Sequence, residues 1–139
     1  MILYVLDTDH LSLILRGHPK IRERLTAIPP EQIAITIITV EEQLRGRLAQ
    51  LSKARSGDAR SVAYRYLRKA VNDLARLNVL DYDAASDRIY GELRQQRVRV
   101  GSQDLRIAAI ALANNCNLVT RNYSDFSKVP SLIIDDWTT

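Results

Sequence analysis

Acidic side chains recur in this sequence where an apolar run has just ended. Asp7 and Asp9 follow the run Ile2 to Leu6, Glu41 and Glu42 follow one that begins at Ile33, and Asn122 and Asp125 follow Asn117 to Thr120. Asp104 opens the helical segment that leads into that last run. If the runs are parallel strands of one sheet, these groups meet beyond the strands' carboxyl ends, where open α/β sheets bind ligands. Carboxylates gathered in this way repel, and protons or a cation must relieve the repulsion. The ligands on offer are hard oxygens, since His10 and His18 form no zinc motif and Cys116 is the only cysteine. Mg²⁺ or Mn²⁺ is therefore expected rather than zinc. Such a cation accepts phosphate oxygens, lowers the pKa of water and neutralises charge, which is the chemistry of phosphodiester cleavage. Thr8 and Thr120 stand beside the acids as candidates to orient a carboxylate or phosphate.

Each acid also has a plainer role open to it. Asp7 suits the N-cap of the next helix, and Asp104 can cap its own. Thr39-Val40-Glu41-Glu42 has the form of a capping box in which Glu42 answers Thr39. Their joint position at one sheet edge is what favours a site. Cys116 reads as a small core residue, Trp137 as packing for the C-terminus, and His10 as a capping or solvated histidine.

Charge supplies a second signal. The chain carries a net charge of +4, yet Arg45 to Arg76 holds nine basic residues against two acidic ones, Asp58 and Asp73. That local excess suits a polyanion, because each neutralised phosphate releases counterions. Arg45, Arg47, Lys53, Arg55, Arg60 and Arg65 are the candidate contacts to such a polyanion. Tyr64 and Tyr66 interleave with them and suit base stacking where exposed, with one of the two expected to face the core.

The elements that must position these residues alternate between strand and helix. Strands are expected at Ile2–Leu6, Ile33–Ile38, Asn78–Tyr82, Asn117–Thr120 and Leu132–Ile134. Helices are expected over Leu11–Arg16, Ile21–Ile28, from a Thr39 cap through Leu51, over Arg60–Arg76 and Ala84–Arg97, and from Ser102 or Asp104 to Ala113. The pattern predicts one α/β domain, residues 1–139, with a mainly parallel sheet of about five strands flanked by helices. A length of 139 residues suffices for one core without disulfides. A lone cysteine fits a reducing, cytoplasmic compartment. No run approaches the roughly 18 apolar residues of a membrane span. The N-terminus lacks a basic start, and Asp7 and Asp9 break its apolar stretch, so no signal peptide is expected.

Four motifs in order resemble the PIN-domain toxins of the VapC type. They are Val5-Leu6-Asp7-Thr8-Asp9-His10-Leu11, Ile38 through Gly46, Val100-Gly101-Ser102-Gln103-Asp104-Leu105-Arg106-Ile107-Ala108-Ala109, and Leu118 through Asn122 with Asp125-Phe126. The tail Val129-Pro130 to Asp136-Trp137 is similar as well. This resemblance implies a PIN fold, Mg²⁺-dependent endoribonuclease activity on a structured RNA such as tRNA or ribosomal RNA, a co-expressed antitoxin and a homodimer. It carries the family's acidic positions onto Asp7, Glu42 and Asp104. Glu42 is preferred to Glu41 because it stands four residues before Gly46. The fourth acidic position falls on Asn122, or its role passes to Asp125, which leaves the number of ions open. Asp9 replaces a more usual asparagine.

Two other classes compete. Asp7-Thr8-Asp9 with Asp135-Asp136 resembles a phosphatase of the haloacid dehalogenase type, but Leu11 stands where that motif needs Thr or Val. A non-catalytic RNA- or partner-binding module would leave the acids as caps only.

Overall fold

The computed structural model describes all 139 residues. Its sheet has five parallel strands in the order β3-β2-β1-β4-β5: β1 (Tyr4–Leu6), β2 (Ile33–Thr36), β3 (Val79–Leu80), β4 (Asn117–Val119) and β5 (Ile134–Asp135). The helices are α1 (Thr8–Leu15), α2 (Pro19–Ala27), α3 (Ile37–Lys53), α4 (Gly57–Ala75), α5 (Ala84–Gln95), α6 (Ser102–Ala113) and the single turn α7 (Tyr123–Phe126). A 3₁₀ turn, Pro30–Gln32, leads into β2. The chain starts in the middle of the sheet, runs outward to β3, then returns to lay β4 against the other side of β1. Strand order therefore reverses between β1 and β4, which places the ligand-binding crevice at their carboxyl ends.

Buried parallel strands read as continuous apolar runs because both faces are covered, and the two faces carry separate cores here. On one side Ile107, Ala108, Ala109 and Ile110 of α6 pack with Leu118, Phe126 and Leu93. On the other, Leu11, Ile21, Ile35, Leu74 and Trp137 interlock. Small alanines let α6 lie close against the sheet, and its Ala108, Ala109 and Ala111 are fully buried. Gly17 ends α1 at φ +80, where a side chain would be strained and its Cβ would meet the Arg22 guanidinium at 3.2 Å.

Several boundaries differ from the sequence expectation. The third helix is capped by Thr36, whose Oγ1 accepts from the Thr39 N–H, and not by Thr39, so no capping box joins Thr39 to Glu42. The strand stops at Thr36 because Ile37 and Ile38 are already helical. Apolar β-branched residues satisfy either state, and the Thr36 cap decides between them. Gly101 precedes α6, which puts Asp104 in its first turn rather than at its cap. β5 lies at Ile134–Asp135, since Leu118 and Thr120 donate to the carbonyls of Ile133 and Asp135.

Trp137 is completely buried, 5.4 Å from the Tyr4 ring, with its Nε1–H donating to Asp135 Oδ2 at 3.1 Å. Trp137→Ala should cost about 3–5 kcal/mol, measured as a lowered urea midpoint, whereas truncating the exposed Tyr64 should change it little.

Candidate active site

Asp7 stands where β1 becomes α1. Its N–H donates to the Val119 carbonyl at 3.1 Å, which extends the β1–β4 ladder by one residue and fixes the backbone at the crevice. Its Oδ1 caps α1 by accepting from the His10 N–H at 2.8 Å, and the residue is only 6% exposed. The cap and the ligand roles are thus compatible, because capping occupies one oxygen and leaves Oδ2 for a cation. Thr8 Oγ1 donates to Glu42 Oε1 at 2.8 Å and lies 3.1 Å from Thr39 Oγ1. That pair fastens the first turn of α1 to α3 and holds the glutamate on the crevice side. The adjacent Glu41 is exposed and paired with Arg45 at 2.7 Å and with Gln103 at 2.9 Å. Both Glu41 oxygens are thereby engaged, whereas Glu42 is bonded to Thr8 of the first turn of α1.

Asp104 completes the arrangement from the first turn of α6. Its carboxyl pKa is raised above the ordinary value by burial and by the charges of Glu42, Asp7 and Asp125. A helix N-terminus favours an anion, so burial and the neighbouring charges together outweigh that field. Asp7, Thr8, Asp9, Asp104, Arg121 and Asn122 line one open concavity of about 540 Å³. Asn122 spends its amide on Asp125 Oδ2 at 3.0 Å, and Lys128 lies 3.7 Å from Asp125. The fourth acidic position is therefore a neutral amide that orients the next carboxylate. Thr120 is buried and its Oγ1 accepts from the Asn122 N–H at 3.0 Å, which shapes the turn after β4.

Asp9 takes no part as a free carboxylate. Arg121 holds it with two bonds, Nε at 2.6 Å and Nη2 at 3.1 Å. Asp7, Asp9 and His10 do bring ligand atoms within 4.8 Å of one another. Asp7, Glu42 and Asp104 form no such group, while within the trio Arg121 already holds Asp9 and His10 is completely buried. An all-oxygen set with accumulated negative charge fits Mg²⁺ or Mn²⁺.

His10 is a residue that sequence reasoning misplaced. It is completely buried rather than solvated, its Nε2 accepts the Trp137 N–H at 3.3 Å, and its Nδ1 lies 3.4 Å from Asp7 Oδ1. With Nε2 an acceptor, the neutral ring carries its proton on Nδ1, facing Asp7. Nothing local in the sequence signals this, because Trp137 is 127 positions away. Tyr64 and Tyr66 are likewise both exposed, and Arg47 lies over the Tyr66 ring at 5.3 Å. The largest groove, about 710 Å³, is elsewhere and mostly apolar, lined by residues such as Leu11, Ile14, Leu25, Ile28, Ile33 and Leu77. It gathers no carboxylate cluster and is not the hydrolytic centre.

The family model of the PIN domain matches residues 4–132. The chain belongs to the PIN-domain family. The tRNA(fMet)-specific endonuclease VapC of Salmonella typhimurium is 29% identical over 142 residues, covering 99% of each chain. Ribonuclease VapC2 of Rickettsia felis is 41% identical over 68 residues, 46% of this chain and 51% of that protein. Among solved structures, the DNA-bound VapBC of Salmonella typhimurium superposes with a TM-score of 0.79 at 30% identity over 99% of both chains. VapBC-1 of nontypeable Haemophilus influenzae gives 0.80 at 26% identity, covering 99% of this chain and 100% of that one. These relatives put this PIN domain in the VapC group of ribonuclease toxins from toxin–antitoxin systems. The phosphatase alternative is overturned by the PIN-domain match and the VapC relatives.

The raised Asp104 pKa predicts a stability that moves opposite to most carboxylates. Between the ordinary 3.8 and the raised value the folded chain binds more protons than the unfolded one, so metal-free protein gains stability as pH falls through that window. Cation affinity should fall over the same window as protons compete. Asp104→Asn should raise the melting temperature of metal-free protein while abolishing RNA cleavage, a combination that thermal melts and a cleavage assay resolve.

Proposed function

We propose that this PIN domain is a Mg²⁺- or Mn²⁺-dependent endoribonuclease that cuts a structured RNA, with tRNA the leading substrate class, and that Asp7, Glu42 and Asp104 hold the cation. The observation that carries the reading is the convergence of Asp7 and Asp104 on one concavity, with Glu42 braced toward it by Thr8. Asp125, oriented by Asn122, adds charge at the rim and is the candidate for a more distant second ion. When bound, the cation supplies activation of a water molecule and neutralisation of the phosphate.

The chain's own contribution is position. β1 and β4 fix Asp7 through the backbone, Thr8 orients Glu42, and the first turn of α6 delivers Asp104. Water attacks phosphorus in line with the leaving ribose oxygen, whose P–O bond breaks as that oxygen takes up a proton and the attacking water gives one up, and pre-set ligands lower the barrier by removing the cost of assembling them. The basic residues lie mainly on the exposed surfaces of α3 and α4, which pack on one another as a hairpin. Arg45, Arg47, Lys53, Arg55, Arg60 and Arg65 would follow the RNA backbone from the cleft along this hairpin. The partner is a cognate antitoxin, as in the VapBC complexes that the fold resembles. Its apolar segment would fill the 710 Å³ groove, and a basic side chain would reach the carboxylates. The protein would act as a homodimer in the cytoplasm.

Incubation of total cellular RNA with purified protein, followed by sequencing of new ends, tests this directly. Discrete cuts in tRNA are expected with Mg²⁺ or Mn²⁺, none with chelator, and none from a folded Asp7→Asn variant. Intact RNA under every condition would favour a binding module without catalysis. In the inactive Asp7→Asn background, removing Lys53 or Arg60 should weaken RNA binding regardless of sequence and lower the salt slope by about one per lost phosphate contact.

A further inference from the structure

Arg121 lies at the mouth of the acidic concavity, half-exposed, and is the one cation among the residues that line it. Asp9 grips it from the first turn of α1 through Nε at 2.6 Å and Nη2 at 3.1 Å, and both side chains stay open to solvent at 52% and 44%. Exposed ion pairs add little stability, so holding the fold together does not account for this pair. A guanidinium has five N–H donors. Two are used on Asp9, which leaves both protons of Nη1 and one of Nη2 free on a residue that lines the same concavity as Asp7 and Asp104.

We propose that Arg121 is a substrate-binding residue that takes an oxygen of the RNA phosphodiester next to the ligand carboxylates, and that Asp9 is the tether that aims it. The geometry has two consequences. A planar fork matches a phosphate's oxygens and supplies charge-assisted bonds that a flexible ammonium does not. A guanidinium without a tether, so close to Asp7 and Asp104, would turn onto those carboxylates, neutralise them and displace the divalent cation. Asp9 prevents this by satisfying one edge of the fork, and so keeps one positive group for phosphate while the other carboxylates keep their charge for metal. The inference rests on the metal-site reading above.

Two measurements on full-length protein, Mn²⁺ affinity without RNA and single-turnover cleavage of an RNA that wild type cuts, test it with Arg121→Gln, Asp9→Asn and the double variant. Arg121→Gln should lose about 10- to 100-fold in kcat/KM while binding Mn²⁺ as wild type does, which also shows that it is folded. Asp9→Asn should weaken Mn²⁺ binding by about 3- to 30-fold, because the released guanidinium competes for the carboxylates. The double variant should recover the affinity of Arg121→Gln, a rescue that a merely structural ion pair cannot give. Wild-type cleavage by Arg121→Gln overturns the phosphate role. Unchanged affinity in Asp9→Asn, or no recovery in the double variant, overturns the tether alone. Failure of the wild type to bind Mn²⁺ at all overturns the metal reading and the tether with it.

Discussion

Like-charge repulsion at the carboxyl edge of the sheet is the constraint around which this molecule is arranged. Asp7, Glu42 and Asp104 come from three elements that are distant in sequence, with Asp125 close enough to act on Asp104. Separate carboxylates in solution would drift apart, so every one of them needs an anchor stronger than a side-chain preference. Asp7 has the β1–β4 ladder and a helix cap, Glu42 has the Thr8 hydroxyl, Asp104 has the first turn of a helix buried along its length, and Asp125 has Asn122. On the proposed reading, repulsion held in place by the fold favours a divalent cation, since binding would relieve a cost that folding has already met.

Support for the site comes from unexpected quarters of the chain. The C-terminal segment looks like simple packing, with Trp137 wedged beside Tyr4, yet its backbone N–H also fixes the tautomer of His10 behind Asp7. Asp136 extends this region, 3.7 Å from His10 Nε2 and bonded to Thr138. Core and crevice edge are therefore one construction on this side of the sheet, and a change that loosens the tail disturbs the surroundings of Asp7.

Charge divides the surface into complementary regions. The cleft is acidic and the α3–α4 hairpin is basic, with Lys53, Arg55, Arg60 and Arg65 all exposed. Several of the other cations are already paired, Arg45 with Glu41 and Lys69 with Asp73, while Arg47 stacks on Tyr66. On the proposed reading, the hairpin attracts a polyanion that the cleft alone would repel, and a bound cation would then make the last phosphate acceptable.

The α/β class, the parallel sheet and the acids at strand ends were legible in the sequence, because they depend on local signals: apolar period, turn residues, and the rule that parallel sheets bind ligands at their carboxyl edge. What the sequence alone determined is therefore the inventory of ligands and their order along the chain. It could not distinguish Thr36 from Thr39 as the cap of α3, since Ile37 and Ile38 suit strand or helix equally. Nor could it separate Asp9 from Asp7, place His10 in the interior, or show both tyrosines outside. Those outcomes rest on contacts between residues more than a hundred positions apart, Arg121 with Asp9 and Trp137 with His10. Tertiary structure alone decided which carboxylates are already paired across the fold, Asp9 with Arg121 and Glu41 with Gln103, because those partners are fixed by the fold and not by the local sequence.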